Sequence, residues 1–140
     1  MTNPRVEGLS RDECMSLLDA ATVGRVGVSV GAIPAVLPVN YVMDGETIVF
    51  RTVPGTKLDA ALTNAVVAFE TDGIDAEKES GWSVLVRGIA REITDRDALA
   101  RVRRLPLRSW AFNGDADRYV SVEAELVTGR RVVARNGDTA

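Results

Sequence analysis

The segment at residues 50–58, with the sequence FRTVPGTKL, carries the side chains best suited to binding an anion. A strand-like stretch ends in a Pro-Gly turn, and Thr56 and Lys57 then stand at the predicted start of a helix. Backbone amides and the helix dipole favour negative charge at such a start, and Lys57 adds a full positive charge. Arg51 offers a bidentate fork, and Thr52 and Thr56 offer hydroxyl donors. The segment therefore predicts a phosphate site.

A simpler interpretation of the same segment stays open on the residues alone. Short Gly/Thr/Lys motifs are weak signals, and the G-x-x-x-x-G-K spacing of a Walker loop is missing. A helix cap followed by a solvated lysine and a surface arginine would produce the same pattern.

The composition excludes several kinds of active site. The chain has no histidine, which removes Ser-His-Asp triads, His-ligated zinc and haem held by a protein imidazole. Cys14 is the only cysteine and falls on the apolar face of a predicted helix, so we expect a buried, inert thiol. The carboxylates of residues 72–79 lack EF-hand spacing, and no carboxylate pair has an acid–base arrangement. We therefore predict no metal site and no catalytic side chain; chemistry would need a cofactor.

Length and charge indicate the number of domains and the kinds of partner to expect. With 140 residues, one domain is expected, and a net charge of −3 argues against nucleic acid or an anionic membrane as a partner. No apolar run approaches membrane-spanning length, and the N-terminus lacks the apolar core of a signal peptide. We expect a cytoplasmic protein.

The pattern of apolar and turn residues predicts a mainly β fold with short added helices. Ser10 and Glu13 form a capping box before an apolar helical stripe, and Asp44-Gly45 is a strong hairpin signal. Pro34 and Pro38 indicate an edge or a bulge in their strand. The predicted strands are 23–30, 32–42, 47–52, 65–70, 82–93 and 118–133, with helices at 11–21, from 54 and at 94–104, and a polar loop at 72–81. The predicted parts are an N-terminal arm at 1–9, one domain at 10–134 and a frayed tail at 135–140.

An ordered set of motifs runs along most of the chain. It comprises PVNY at 38–41, DG at 44–45, FRT at 50–52, GTKL at 55–58, SGWSVLVRG at 80–88 and TGRR at 128–131. Between about Ser10 and Arg131 this order resembles the pyridoxamine 5′-phosphate oxidase-like proteins, in particular the branch that includes nitroimidazole-resistance proteins.

The resemblance implies a six-stranded antiparallel split β-barrel of the FMN-binding type, which holds FMN at a homodimer interface. It implies a flavin-dependent oxidoreductase that acts on a small organic substrate. The backbone around Val39 and Asn40 would line the flavin ring. Residues Arg51, Thr52, Thr56 and Lys57 would hold the phosphate, Trp82 and Ser83 would approach from the partner subunit, and Trp110 would lie over or beside the ring.

Three alternatives remain at this point. The deazaflavin coenzyme F-420 could replace FMN, with its anionic tail on the basic cluster Arg101, Arg103, Arg104 and Arg108. The chain could carry or shield a flavin, a deazaflavin or a haem without turnover. It could also be a barrel that has lost its cofactor and serves as a protein scaffold. Trp82 and Trp110 could equally be packing or interface anchors.

Overall fold

The computed structural model describes residues 5–107 and 118–134. Within these ranges the strands are β1 (Arg5–Gly8), β2 (Val23–Val30), β3 (Ile33–Asp44), β4 (Thr47–Thr52), β5 (Ala65–Asp75), β6 (Ser80–Glu92), β7 (Arg118–Glu123) and β8 (Leu126–Val133). The helices are α1 (Arg11–Ala20), α2 (Lys57–Ala61) and α3 (Arg96–Val102).

Six of the strands close into an antiparallel barrel. Neighbouring strands follow the order β6, β5, β2, β3, β4, β7, and β7 pairs back onto β6. Strands β8 and β1 extend the sheet from β6, outside the closed ring. The prediction of a mainly β, six-stranded antiparallel split barrel is confirmed.

The stretch predicted as one strand at 118–133 is two strands with a bulge between them. β7 pairs with β6 through Ala90↔Val122, whereas β8 pairs with β6 through Arg87↔Leu126, so the register slips by one residue. Such an extra residue bends a strand. The backbone at the bend passes close to Gly88, where a Cβ would lie 2.5 Å from a carbonyl oxygen. The bend lets the first half complete the barrel while the second half leaves it.

Two further boundaries differ from the prediction. The strands of the β5–β6 hairpin continue through Asp75↔Ser80, so the predicted loop at 72–81 shrinks to residues 76–79. In a strand, every second residue points to the solvent-facing side and can be polar. The polar residues of these strand ends therefore resembled a loop in the sequence. Part of the predicted N-terminal arm forms β1, which pairs with β8.

Helix α1 closes one side of the barrel. The capping box is present, with the Ser10 hydroxyl accepting from the Glu13 amide and the Glu13 carboxylate accepting from the Ser10 amide. Cys14 and Leu18, on one face of this helix, are fully buried. Burial raises the pKa of the Cys14 thiol above its ordinary value, consistent with the predicted inert thiol.

The two prolines of β3 lie where that strand has one neighbour. The β3–β4 ladder ends at Tyr41↔Phe50, so residues 33–40 pair only with β2. The Tyr41 amide donates to the Thr22 carbonyl on the β2 side. Because successive residues direct their backbone groups to opposite edges, Pro34 and Pro38 place their nitrogens on the open edge, where no donor is needed. The predicted edge is confirmed.

Replacement of Tyr41 by Phe should test the link between α1 and the barrel. The Tyr41 hydroxyl donates to the Leu18 carbonyl in the last turn of α1, and its ring packs edge-on against Phe69 at 4.7 Å between centroids. Tyr41→Phe keeps the ring contact but leaves the carbonyl without this donor, so the free energy of unfolding should fall by about 1 kcal/mol in urea titrations. Tyr119→Phe is the matched control, since the Tyr119 hydroxyl makes no hydrogen bond within the described residues; an equal loss in both variants would contradict the assignment.

The same residue predicts an alkaline dependence of stability. Burial raises the pKa of Tyr41 from 10.0 to about 12 in the folded protein. Between these values the unfolded chain has released a proton that the folded chain keeps, so the free energy of unfolding should decrease as the pH rises from about 10 to about 12. Tyr41→Phe should remove this part of the alkaline decrease, and an unchanged pH profile would refute it.

Candidate functional site

A cavity of about 360 Å³ opens where β3 and β4 part, above α2. Its wall is largely apolar, with polar side chains from the end of β4 and the start of α2. The lining residues are Val26, Leu37, Pro38, Val39, Phe50, Arg51, Thr52, Val53, Thr56, Leu58 and Leu62. Four of the residues predicted for a cofactor site therefore come together here: Val39, Arg51, Thr52 and Thr56.

The polar end of this cavity is organised by Asp59, which the sequence reasoning missed. Its carboxylate accepts from the Thr52 hydroxyl at 2.9 Å and from the Gly55 amide at 3.1 Å. It also forms an ion pair with Arg118 at 3.2 Å. The spacing Thr56-x-x-Asp59 is close to a capping-box pattern and was the available signal. The sequence could not show that the carboxylate reaches back into β4 and across to β7.

Both threonine hydroxyls donate hydrogen bonds inside the protein. Thr52 donates to Asp59, and Thr56 donates to the Val53 carbonyl at 3.1 Å. The Thr56 oxygen also caps α2 by accepting from the Asp59 amide. A fully ionised phosphate only accepts hydrogen bonds, so a site that holds one must supply donors. Since both hydroxyls donate to acceptors of the protein, cationic side chains are the donors better suited to this role.

Two cations flank the cavity from the predicted segment. Arg51 is half-buried in its lining, with its guanidinium 5.9 Å from the centroid of the Tyr119 ring. Lys57 is exposed at the first position of α2, next to the lining residue Thr56, and makes no ion pair within the described residues. Asn40 follows Val39 on β3 and pairs with Val23, but it does not line the cavity.

Trp82 and Ser83 lie at a different place on the chain. They line a second cavity of about 510 Å³ near the tip of the β5–β6 hairpin, together with Asp72 and Arg130. The Trp82 indole lies across Gly73, with its nitrogen 2.6 Å from where a Cβ of that residue would stand. The two linings share no residue, so a single chain does not bring Trp82 to Val39. The prediction for Trp110 falls outside the described residues.

Arg101, the member of the basic cluster that lies on α3, is remote from the first cavity, and the prediction for Arg108 falls outside the described residues. Arg101 pairs with Asp44 at 2.9 Å, at the β3–β4 turn. The cavity lies at the other end of β4, about 17 Å away by the rise of an extended strand. The structure thus gives no support to an anionic-tail site on Arg101 that continues from this cavity.

Other kinds of site receive no support within residues 5–107 and 118–134. No group of three or more potential ligands there could hold a metal ion. None of the helices in the same ranges combines the length and the apolar character needed to cross a bilayer.

Comparison with known proteins agrees with the fold and with the ordered motifs. The family model for pyridoxamine 5′-phosphate oxidase matches residues 10–131. An uncharacterized protein of Mycobacterium tuberculosis is 40% identical over 131 residues, covering 90% of this chain and 85% of the relative. The solved FAD binding protein of Mycobacterium smegmatis is 39% identical, with a TM-score of 0.78 over 89% of this chain and 98% of that one.

A third protein shares the fold at lower identity. It comes from Bacteroides thetaiotaomicron, is proposed to be a 5-nitroimidazole antibiotic resistance protein, and is 18% identical with a TM-score of 0.68 over 96% of this chain and 92% of its own. The resemblance inferred from the sequence is confirmed: this chain belongs to the pyridoxamine 5′-phosphate oxidase family.

Proposed function

We propose that this chain binds a flavin nucleotide in the cavity between β3, β4 and α2 and, as a homodimer, uses it to oxidise or reduce a small organic substrate. The observation that carries the proposal is the cavity itself, which joins an apolar wall to a cationic end. The relative that is 39% identical binds FAD, which supports a flavin in this chain.

The cavity suits a flat aromatic ring. Ligand pockets are mostly apolar, with volumes of about 300–1,000 Å³ and a few polar groups that fix orientation. Leu37, Val39 and Leu58 supply apolar contact here. The open edge of β3 over residues 33–40 supplies backbone groups beside that wall, because β4 does not pair with it there. These groups would orient the polar edge of the ring and keep water away from its face.

Arg51 and Lys57 would hold the phosphate. Both carry a positive charge near the cavity, whereas the Thr52 and Thr56 hydroxyls are neutral and donate to Asp59 and to the Val53 carbonyl. Charge-assisted hydrogen bonds to phosphate are stronger than neutral ones, and an arginine can contact two oxygens at once. Thr52 and Thr56 would line the site without donating to the phosphate.

FMN, the cofactor expected from the sequence, and FAD share a ring, a ribityl chain and a first phosphate, and the proposed contacts concern this shared part. The deazaflavin coenzyme F-420 has a related ring and tail and remains the alternative occupant. A bound flavin supplies hydride or electron transfer, and the protein supplies binding, orientation and electrostatics.

A second copy of the chain would cover the outer face of the sheet. One row of paired residues crosses five strands there: Val36, Gly27, Ala68, Arg87 and Leu126. Val36, Val66 and Leu126 are 69%, 74% and 62% exposed on this face. Apolar side chains around a flat centre of small residues are typical of a surface that binds another. Such a dimer could bring Trp82 and Ser83 of one subunit near the cavity of the other.

The identity of the cofactor gives the first test. Protein purified from a bacterial host should be yellow, with a flavin absorption spectrum, and should release FMN or FAD on denaturation, identified by chromatography. Reduction of the bound flavin by NADH, NADPH or another donor would support turnover, whereas a bound flavin that no donor reduces would favour a carrier. Colourless protein that takes up neither FMN nor FAD would refute the proposal, and uptake of F-420 alone would support the alternative.

The two lysines of the chain provide a matched pair for the phosphate contact. Lys57→Ala should weaken FMN binding about tenfold or more, because it removes a charge-assisted contact, whereas Lys78→Ala in the β5–β6 hairpin should not change it. Arg51→Ala should weaken binding by a similar factor. Dissociation constants from flavin fluorescence titrations check this, and equal affinities for the two lysine variants would exclude Lys57 from the site.

The dimer face can be tested with a charge at its centre. Ala68→Glu places a carboxylate opposite Arg87, so the isolated chain can accommodate it, but a second copy would bury it. The dimer dissociation constant should rise about 100-fold or more in sedimentation equilibrium. Ala100→Glu on the exposed side of α3 is the control and should leave it unchanged. An unaltered dimer in Ala68→Glu would place the interface elsewhere.

A further inference from the structure

Asp59 is the one carboxylate buried within the described residues, and it lies beside the proposed phosphate end of the cavity. Its side chain belongs to the first turn of α2, and the residue is 5% exposed. A buried carboxylate is costly unless charges and hydrogen bonds compensate it. The contacts of Asp59 provide that compensation, and they connect three separate parts of the chain.

Each contact of the Asp59 carboxylate fixes a different segment. The Thr52 hydroxyl at one oxygen anchors the end of β4. The Gly55 amide at the other oxygen anchors the turn, where Gly55 has a φ of +82°. Arg118 at that same oxygen anchors β7, and Arg118 also approaches Glu92 at 3.7 Å. The turn at residues 53–56, which lies between the two phosphate-binding candidates, is thus held to the barrel by one side chain.

We propose that Asp59 is the positioning residue for the phosphate end of the cofactor site, an inference that rests on the proposed function. Asp59 acts through the turn and does not touch the phosphate, because two negative groups in contact would repel each other. It fixes the spacing between Arg51, before the turn, and Lys57, after it. Its carboxylate also orients the Thr52 hydroxyl, and its backbone amide donates to the Thr56 side-chain oxygen.

Asp59→Asn is the direct variant. It keeps the size of the side chain but removes its charge and one acceptor oxygen. With the amide oxygen towards Gly55 and Arg118, the amide nitrogen faces the Thr52 hydroxyl, which can no longer donate to residue 59; in the opposite orientation the nitrogen faces Gly55 and Arg118, donor against donor. In both orientations the ion pair with Arg118 is lost, and the turn is held less firmly. Glu92→Gln is the matched control, because it removes the other carboxylate near Arg118 and leaves every contact of the turn in place.

The comparison of FMN with riboflavin separates positioning from general loss of structure. Riboflavin has the same ring and ribityl chain but no phosphate. We expect Asp59→Asn to weaken FMN binding about tenfold while the riboflavin dissociation constant changes by less than about twofold. Glu92→Gln should change neither constant. Both ligands are measured by flavin fluorescence on the same protein preparations, at concentrations of folded protein verified by circular dichroism.

The outcomes distinguish this inference from the function on which it rests. If the wild-type protein binds FMN more tightly than riboflavin and Asp59→Asn keeps that preference, the positioning role is overturned while the proposed function stands. If Asp59→Asn weakens both ligands equally, its role is general stability and the inference is again overturned. If the wild-type protein binds neither ligand, or both alike, the phosphate assignment fails and the inference falls with it.

A second variant keeps the test informative should Asp59→Asn not fold. Arg118→Gln keeps the Asp59 carboxylate and alters a side chain that is 41% exposed, so folding should persist. It should reduce the preference for FMN over riboflavin in the same direction, by a smaller factor. An unchanged preference in Arg118→Gln, with Asp59→Asn unfolded, would overturn the proposal.

Discussion

The architecture depends on the way β6 shares its backbone hydrogen bonds. One edge of this strand pairs with β5, and the other edge pairs first with β8 and then, after a one-residue slip, with β7. A strand that pairs along its whole length leaves no edge open to water or to another chain. The bulge between β7 and β8 is what makes this possible, since it turns one partner towards β4 and the other towards β1. Closure of the barrel and its extension therefore follow from one local irregularity.

The candidate site exists because the opposite side of the barrel is incompletely paired. Beyond Tyr41↔Phe50, β3 and β4 separate, and α2 lies beneath the gap. Pro34 and Pro38 have no backbone N–H to donate on the open edge of β3, so a further strand could not form a continuous hydrogen-bond ladder there. The separation leaves an apolar wall from inward-facing residues and an unpaired backbone edge beside it. A barrel with a continuous β3–β4 ladder would have filled this space with core side chains.

Charge at this site is balanced locally, in a chain whose net charge is −3. Asp59 pairs with Arg118 and accepts from the Thr52 hydroxyl, and Arg51 and Lys57 are the cations of residues 50–58 that lie beside the cavity. On the outer sheet face, Arg25 pairs with both Glu70 and Asp72 at 3.1 and 3.3 Å. Burial, with Asp72 nearby, raises the pKa of Glu70 above its ordinary value. Attraction of an anion to the cavity would therefore depend on particular side chains and not on the overall field of the protein.

The sequence by itself determined the local features of this protein: the Ser10–Glu13 cap, the Asp44-Gly45 hairpin, the edge marked by Pro34 and Pro38, and the family. The cap, the hairpin and the edge depend on residues close together in the chain, and the family depends on the order of short motifs along it. Only the tertiary structure decided that the stretch at 118–133 divides at a bulge, since that depends on register against β6. It also decided that Asp59 reaches Thr52 and Arg118, and that Trp82 lies in another cavity from Val39. Contacts between distant segments are set by strand pairing, which local patterns do not encode.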